Sequence, residues 1–278
     1  MEIQERILET MLNTSTPPWF PYLTEHLVTE TWRALLNTEF ADIRSYSTTK
    51  ILSHTSDKVA PSPIVAPFAL GSFELSIEVL PAETQKEFEH LGLTFANQQE
   101  HLSKESSAAL KACFELIGEN PTLLHSILTL VRCVHFLSST DGDNDVSFSD
   151  PNIPFSIFIS MPNEHTPNAT ARLAESIIHE SMHLQLTLIE KFSPLIGRES
   201  EILFSPWKNS ERDARGVMHA VYVFSVILRA IDSLSSDSSY ISKRRREIRE
   251  QLKIVDHQRL LACFTEIGST FYSRFVST

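Results

Sequence analysis

Basic side chains are in deficit in this sequence: 24 Lys and Arg stand against 35 Asp and Glu, a formal charge of -11. Such a chain lacks the clustered cations that neutralise phosphates, which excludes a general nucleic-acid binder. Cysteine is scarce as well. Cys113, Cys133 and Cys263 are odd in number, far apart and each set in an apolar, helical context. They read as reduced core residues, with neither a disulfide framework nor a CxxC metal site. Only 7 glycines, with 42% hydrophobic and 21% charged residues, exclude fibrous and disordered compositions. Long apolar runs are also missing. The longest, around Val217 to Leu228, is interrupted by His219 and is too short to span a bilayer. Met1 to Arg6 carries acids and begins an amphipathic pattern, unlike a signal peptide. The expected location is therefore cytoplasmic, with no membrane partner.

What is present is enough chain, 278 residues, to bury a sizeable core in one large domain or two small ones. Helical spacing covers 3–12 and 24–37, with a Pro17-Pro18 turn between them, so residues 1–60 read as a helical accessory lobe and 61–278 as the catalytic domain. The Pro-rich stretch from Pro61 to Ser76 leads through Pro81 into a helix near Ala82. Helices are predicted at 82–91, 98–118 and 121–137, the last two divided by Gly118-Glu119-Asn120-Pro121. In Val146 to Met161, Phe155-Ser156-Ile157-Phe158-Ile159 is the strongest strand candidate. The turn Asp141-Gly142-Asp143-Asn144-Asp145 before it fails as a calcium loop, with Val146 and Asn152 where glycine and glutamate are needed. Further helices are predicted at 171–190, 211–232, 241–252 and 256–275, and Lys243 to Arg246 beside Glu247 and Glu250 read as a solvated, ion-paired face. The fold class is mainly α (α+β), a helical domain with a small sheet beside its two central helices.

The first of those helices carries His179-Glu180-Ser181-Met182-His183, an HExxH motif. Histidines four apart project from one helix face about a turn apart, which lets both imidazoles reach a single transition metal, with Glu180 next to its open side. Eleven histidines make a chance match conceivable. The flanking Ile177, Ile178, Met182, Leu184 and Leu186, however, mark a buried helix where unpaired imidazoles are costly. A core pair satisfied by backbone and carboxylates is the bland alternative.

A third ligand is required. The metzincin position is Ile189 with no intervening glycine, which excludes that class, and Glu199 and Glu201 lie on a short polar loop. His219, in the apolar helix Gly216 to Phe224, is the better candidate. Arg212 and Arg215 precede it by seven and four residues, which on a helix sets them on its face, about 6–11 Å away along the axis. A guanidinium beside a metal is unhelpful to peptide hydrolysis but suits the distal carboxylate of a chelating dicarboxylate such as 2-oxoglutarate. Arg215 has Glu211 as a partner four residues away, whereas Arg212 has none, which makes Arg212 the first choice.

At these residues the chain resembles the 2-oxoglutarate-dependent HExxH-type peptide beta-hydroxylases, bacterial enzymes of ribosomally made, modified peptides. Four segments within residues 147–224 carry the likeness: Ser147 to Pro151 with Ile153-Pro154, Arg172 to His183, Ser205-Pro206-Trp207, and Arg212 to Phe224. The resemblance implies iron(II) held by His179, His183 and His219. It also implies 2-oxoglutarate chelating that iron and anchored by arginine, and dioxygen used to hydroxylate a β-carbon of a precursor peptide. Where the family is expected to carry proline after the first arginine, this chain has Asp213, so the choice between Arg212 and Arg215 stays open. Three histidines also depart from the usual two-His-one-carboxylate set, which keeps Glu180 open as ligand or base. Two other readings stand beside this one: a zinc metallopeptidase with Glu180 as general base, and a non-enzymatic peptide-binding protein, which would keep its function after His179→Ala.

Overall fold

A computed structural model describes residues 3–36, 64–70, 73–86, 88, 91–97, 103–138, 145–151, 153, 155–162, 166–198, 200–234 and 238–276. In chain order these form α1 (Ile3–Leu12), α2 (Pro21–Leu36), β1 (Ile64–Leu70), β2 (Phe73–Val79), α3 (Ala82–Lys86), α4 (Lys104–Ile117), α5 (Pro121–Leu130) and β3 (Cys133–Leu137). There follow β4 (Ser147–Phe148), β5 (Ser156–Ser160), α6 (Pro167–Phe192), β6 (Ile202–Ser205), β7 (Ser210–Asp213), α7 (Ala214–Ser233), α8 (Ser239–Ile254), α9 (His257–Leu261) and α10 (Glu266–Val276). The fold is mainly helical with a small mixed sheet, as the sequence pattern indicates.

The five strands of that sheet run in the order β1-β2-β3-β5-β4. β2, β3 and β5 are parallel, and antiparallel β1 and β4 close the edges. Pro67 sits on edge strand β1, where a missing N–H is tolerated. β6 and β7 form a separate hairpin, turning at Asn209 with φ +48°, a left-handed conformation that asparagine accepts better than most residues.

α6 is the central helix. Thr166 caps it by accepting from the Ala169 N–H and Pro167 opens it, and its apolar face packs on α4, α7 and β5. The apolar stretch expected to be too short to span a bilayer belongs to α7, which by length and composition is apolar enough to cross one; 72% of its apolar window is buried inside the fold, against α6, α8 and α10. A polar node ties the N-terminal helices to this pair. Gln185 Nε2 donates to Trp19 O at 2.7 Å and to Thr24 Oγ1, while the Tyr222 hydroxyl meets Gln185 Oε1 and, at 3.1 Å, Pro18 O. Ile7, Trp19, Leu23 and Trp32 thus share one core with α6 and α7. The rest of the expected accessory lobe, 37–60, lies outside the described residues.

Several expected boundaries need correction. The helix expected over 121–137 ends at Leu130, and Cys133–Leu137 is the fully buried middle strand β3. The helix expected from 211 begins at Ala214, because Asp213 is its N-cap and accepts from Gly216 N at 2.6 Å. The helix expected over 256–275 is two, α9 and α10, joined through Cys263 and Phe264, which bond back to the 195–198 loop. Gly268 on α10 lies so close to that loop that a Cβ would stand 1.9 Å from Leu195 O.

Candidate metal centre

α6 brings the HExxH side chains to the floor of a cleft of about 620 Å³ between α6, α7, the 147–151 segment and the β6–β7 hairpin. His179 Nε2 and His183 Nε2 stand 3.1 Å apart. Two nitrogens that each lie about 2.1 Å from one ion, at roughly 90–110°, are about 3.0–3.4 Å apart, so this pair fits one edge of a metal polyhedron. Burial, reinforced by the Arg244 and Lys208 cations, lowers the His179 imidazole to about 4. Burial and the neighbouring imidazoles also hold His183 well below the ordinary range. Both rings are therefore neutral at pH 7 and keep the lone pair that ligation requires.

His219 reaches the same place from α7, its ring stacked at 20° to that of His183. The contact is between the two Nδ1 atoms, at 3.3 Å, so His183 offers a different nitrogen to each neighbour. As placed, no three His, Cys, Asp or Glu side chains among the described residues close around one point. By residue type the three imidazoles are a donor set that divalent transition metals take.

Glu180 is buried beside them, with Oε1 3.9 Å from His179 Nε2. Burial raises its carboxyl to about 7, partly offset by hydrogen bonds donated by Ser147 at 2.6 Å and Ser149 at 2.7 Å. Ser147 on β4 and Ser149 just after it are two residues apart, and both hydroxyls reach the Glu180 carboxylate. Both occur in the motif segments read from the sequence, but their partner was not legible there.

The arginines separate. Arg212 lies on β7, not on the helix as expected, and so shares no helical face with His219. It still lines the cleft, exposed and folded over Gly216, and forms no ion pair among the described residues. Arg215, on α7, pairs with Glu190 instead of the expected Glu211, its Nη2 2.7 Å from Glu190 Oε2. The same oxygen accepts from His219 Nε2 at 2.8 Å. Burial works to raise the Glu190 carboxyl, but the hydrogen bonds donated by His219 and Arg215, with the guanidinium's charge, hold it below the ordinary range. Glu190 is not among the residues expected at the site from the sequence. Its signal was the spacing of seven residues after His183, two turns along one face.

One wall of the cleft is an aromatic stack. Trp207 lies parallel to Phe224, centroids 4.9 Å apart, and the Arg244 guanidinium sits 5.2 Å from the Phe224 ring centre. Arg244 is held by Glu175 at 2.7 Å, which also accepts from the Tyr240 hydroxyl. Arg244 thus braces the cleft wall and is not on a solvated face; Lys243 is ion-paired with Glu247 as expected, whereas Arg245 pairs with Asp232 of α7. Of the acidic turn only Asp145 is described, paired with Arg172 at 3.0 Å; residues 141–144 and Glu199 lie outside the described residues.

No protein-family model and no curated protein matches this chain.

Proposed function

We propose that this chain is an iron(II)- and 2-oxoglutarate-dependent dioxygenase that hydroxylates a β-carbon of a residue in a ribosomally made peptide. The observation that carries this reading is the composition of one cleft: three adjacent imidazoles together with Arg212, which has no carboxylate partner among the described residues. Neutral imidazoles leave a divalent ion its full charge, which favours a chelating dianion, and a guanidinium matches that dianion's distal carboxylate. Iron(II), when bound, would supply the redox chemistry that couples dioxygen reduction to decarboxylation of 2-oxoglutarate and leaves one oxygen atom on the peptide carbon.

The chain's own groups supply binding and orientation. His179, His183 and His219 offer lone pairs, Arg212 anchors the cosubstrate, and the Trp207–Phe224 stack gives the peptide a flat apolar wall. The cleft suits a peptide substrate, a precursor peptide with its leader. Cys113, Cys133 and Cys263 are buried and form no disulfide among the described residues, which supports a cytoplasmic location.

One observation favours a second reading, a zinc peptidase. Glu180, with a carboxyl near 7 and 3.9 Å from His179 Nε2, is suited to act as a general base. Succinate release separates the two. The oxygenase forms succinate from 2-oxoglutarate only with iron(II) and dioxygen, and His179→Ala abolishes it. Peptide cleavage that persists without oxygen or 2-oxoglutarate would establish the peptidase instead.

A further inference from the structure

We infer that Glu190 is the positioning residue of the centre, fixing which nitrogen His219 turns toward the metal. This rests on the metal-binding reading proposed above. Glu190 is not among the residues that line the cleft, and its hydrogen bonds go to neither HExxH imidazole. It bonds the far side of the third ring, His219 Nε2 to Glu190 Oε2 at 2.8 Å. A carboxylate only accepts, so this bond places the ring proton on Nε2 and leaves the lone pair on Nδ1. Nδ1 is the nitrogen that meets His183 at 3.3 Å. A carboxylate behind a metal-facing imidazole fixes its tautomer and orientation and raises its basicity as a ligand.

Sequence spacing makes the arrangement rigid. Glu190 follows His183 by seven residues on α6, so a single helix carries two of the imidazoles and the anchor of the third. Arg215 precedes His219 by four on α7 and donates to the same carboxylate from Nε at 3.0 Å and Nη2 at 2.7 Å. Two rungs one turn apart on α7 therefore converge on one residue of α6. His219 is held against rotation and Glu190 against swinging out. Arg215, expected from the sequence as a cosubstrate contact, serves in this arrangement to hold Glu190.

Cobalt(II) is the probe, because its visible bands report ligand number and geometry without catalysis. The full-length wild-type protein is expected to bind it stoichiometrically. Glu190→Ala should weaken binding roughly 10- to 100-fold and change the bands. Glu190→Gln, which keeps an acceptor and loses the charge, should weaken it less, and it provides the measurement if the alanine variant does not fold. A residue acting through His219 has nothing to act on once that ring is gone. Glu190→Ala should therefore cost little further in a His219→Ala background. Equal cobalt affinity in wild type and both Glu190 variants, or full additivity in the double variant, would overturn the positioning role while leaving the metal centre standing. A wild-type protein that binds no cobalt would overturn both.

Discussion

Arg215 is locked to Glu190, its Nε and Nη2 donating at 3.0 and 2.7 Å, while Arg212, three residues earlier, reaches the same cleft from strand β7 with no carboxylate partner among the described residues. The two arginines are close in sequence and different in chemistry. Arg212→Ala is expected to raise the KM for 2-oxoglutarate roughly 10- to 100-fold, the worth of a charge-assisted pair, and to leave metal binding intact. Arg215→Ala is expected to disturb metal affinity first. Steady-state kinetics beside metal titration separates these outcomes, and the reverse pattern would reassign the anchor.

Glu180 gives a pH dependence with a definite sign. In metal-free protein its carboxyl lies near 7, against an ordinary value of 4.5, because burial disfavours the charged form. Between those values the folded chain binds more protons than the unfolded chain, so stability falls as pH rises through this window. Glu180→Gln removes that titration. Its stability relative to wild type should improve by roughly 3 kcal/mol between pH 4.5 and pH 8, read by urea unfolding at both ends. A pH-independent difference would show that Glu180 is not raised.

Tyr222→Phe tests the polar node under the site. The substitution leaves Gln185 Oε1 buried without its hydroxyl donor, at a cost of about 1–3 kcal/mol. Unfolding midpoints should fall accordingly. Unchanged stability would mean that the N-terminal segment at Pro18 and Trp19 is not held by this node.

Gly268→Ala should be among the most damaging single-methyl changes, since the new Cβ would stand 1.9 Å from Leu195 O, a backbone atom. The overpacking should cost about 3 kcal/mol. A soluble variant with wild-type melting would contradict the close packing of α10 on the loop after α6.

Much of the central helix pair was legible in the sequence because apolar spacing and the HExxH motif coincide on α6. What was not legible has identifiable physical causes. From Leu123 to Leu137 the chain is predominantly apolar, and periodicity does not divide a buried helix from a buried strand, so the sequence pattern extends the helix through β3. Asp213 reads as helix interior until its side chain is seen capping Gly216, and that cap moves Arg212 off α7. Ser147 and Ser149 belong to the site through tertiary contacts alone, and Glu190 shows in the sequence only as a residue seven after His183. Nothing in local spacing links Ser147 to Glu180, or tells Arg215 to prefer Glu190 on another helix over Glu211 four residues back.

The most direct measurement is anaerobic reconstitution with iron(II) followed by titration with 2-oxoglutarate, monitored for the visible charge-transfer band of the chelated complex. The proposed centre predicts a band that saturates at stoichiometric cosubstrate, needs more cosubstrate in Arg212→Ala and is absent in His179→Ala. No band in the wild-type protein, together with stoichiometric tightly held zinc and anaerobic peptide cleavage, would contradict it.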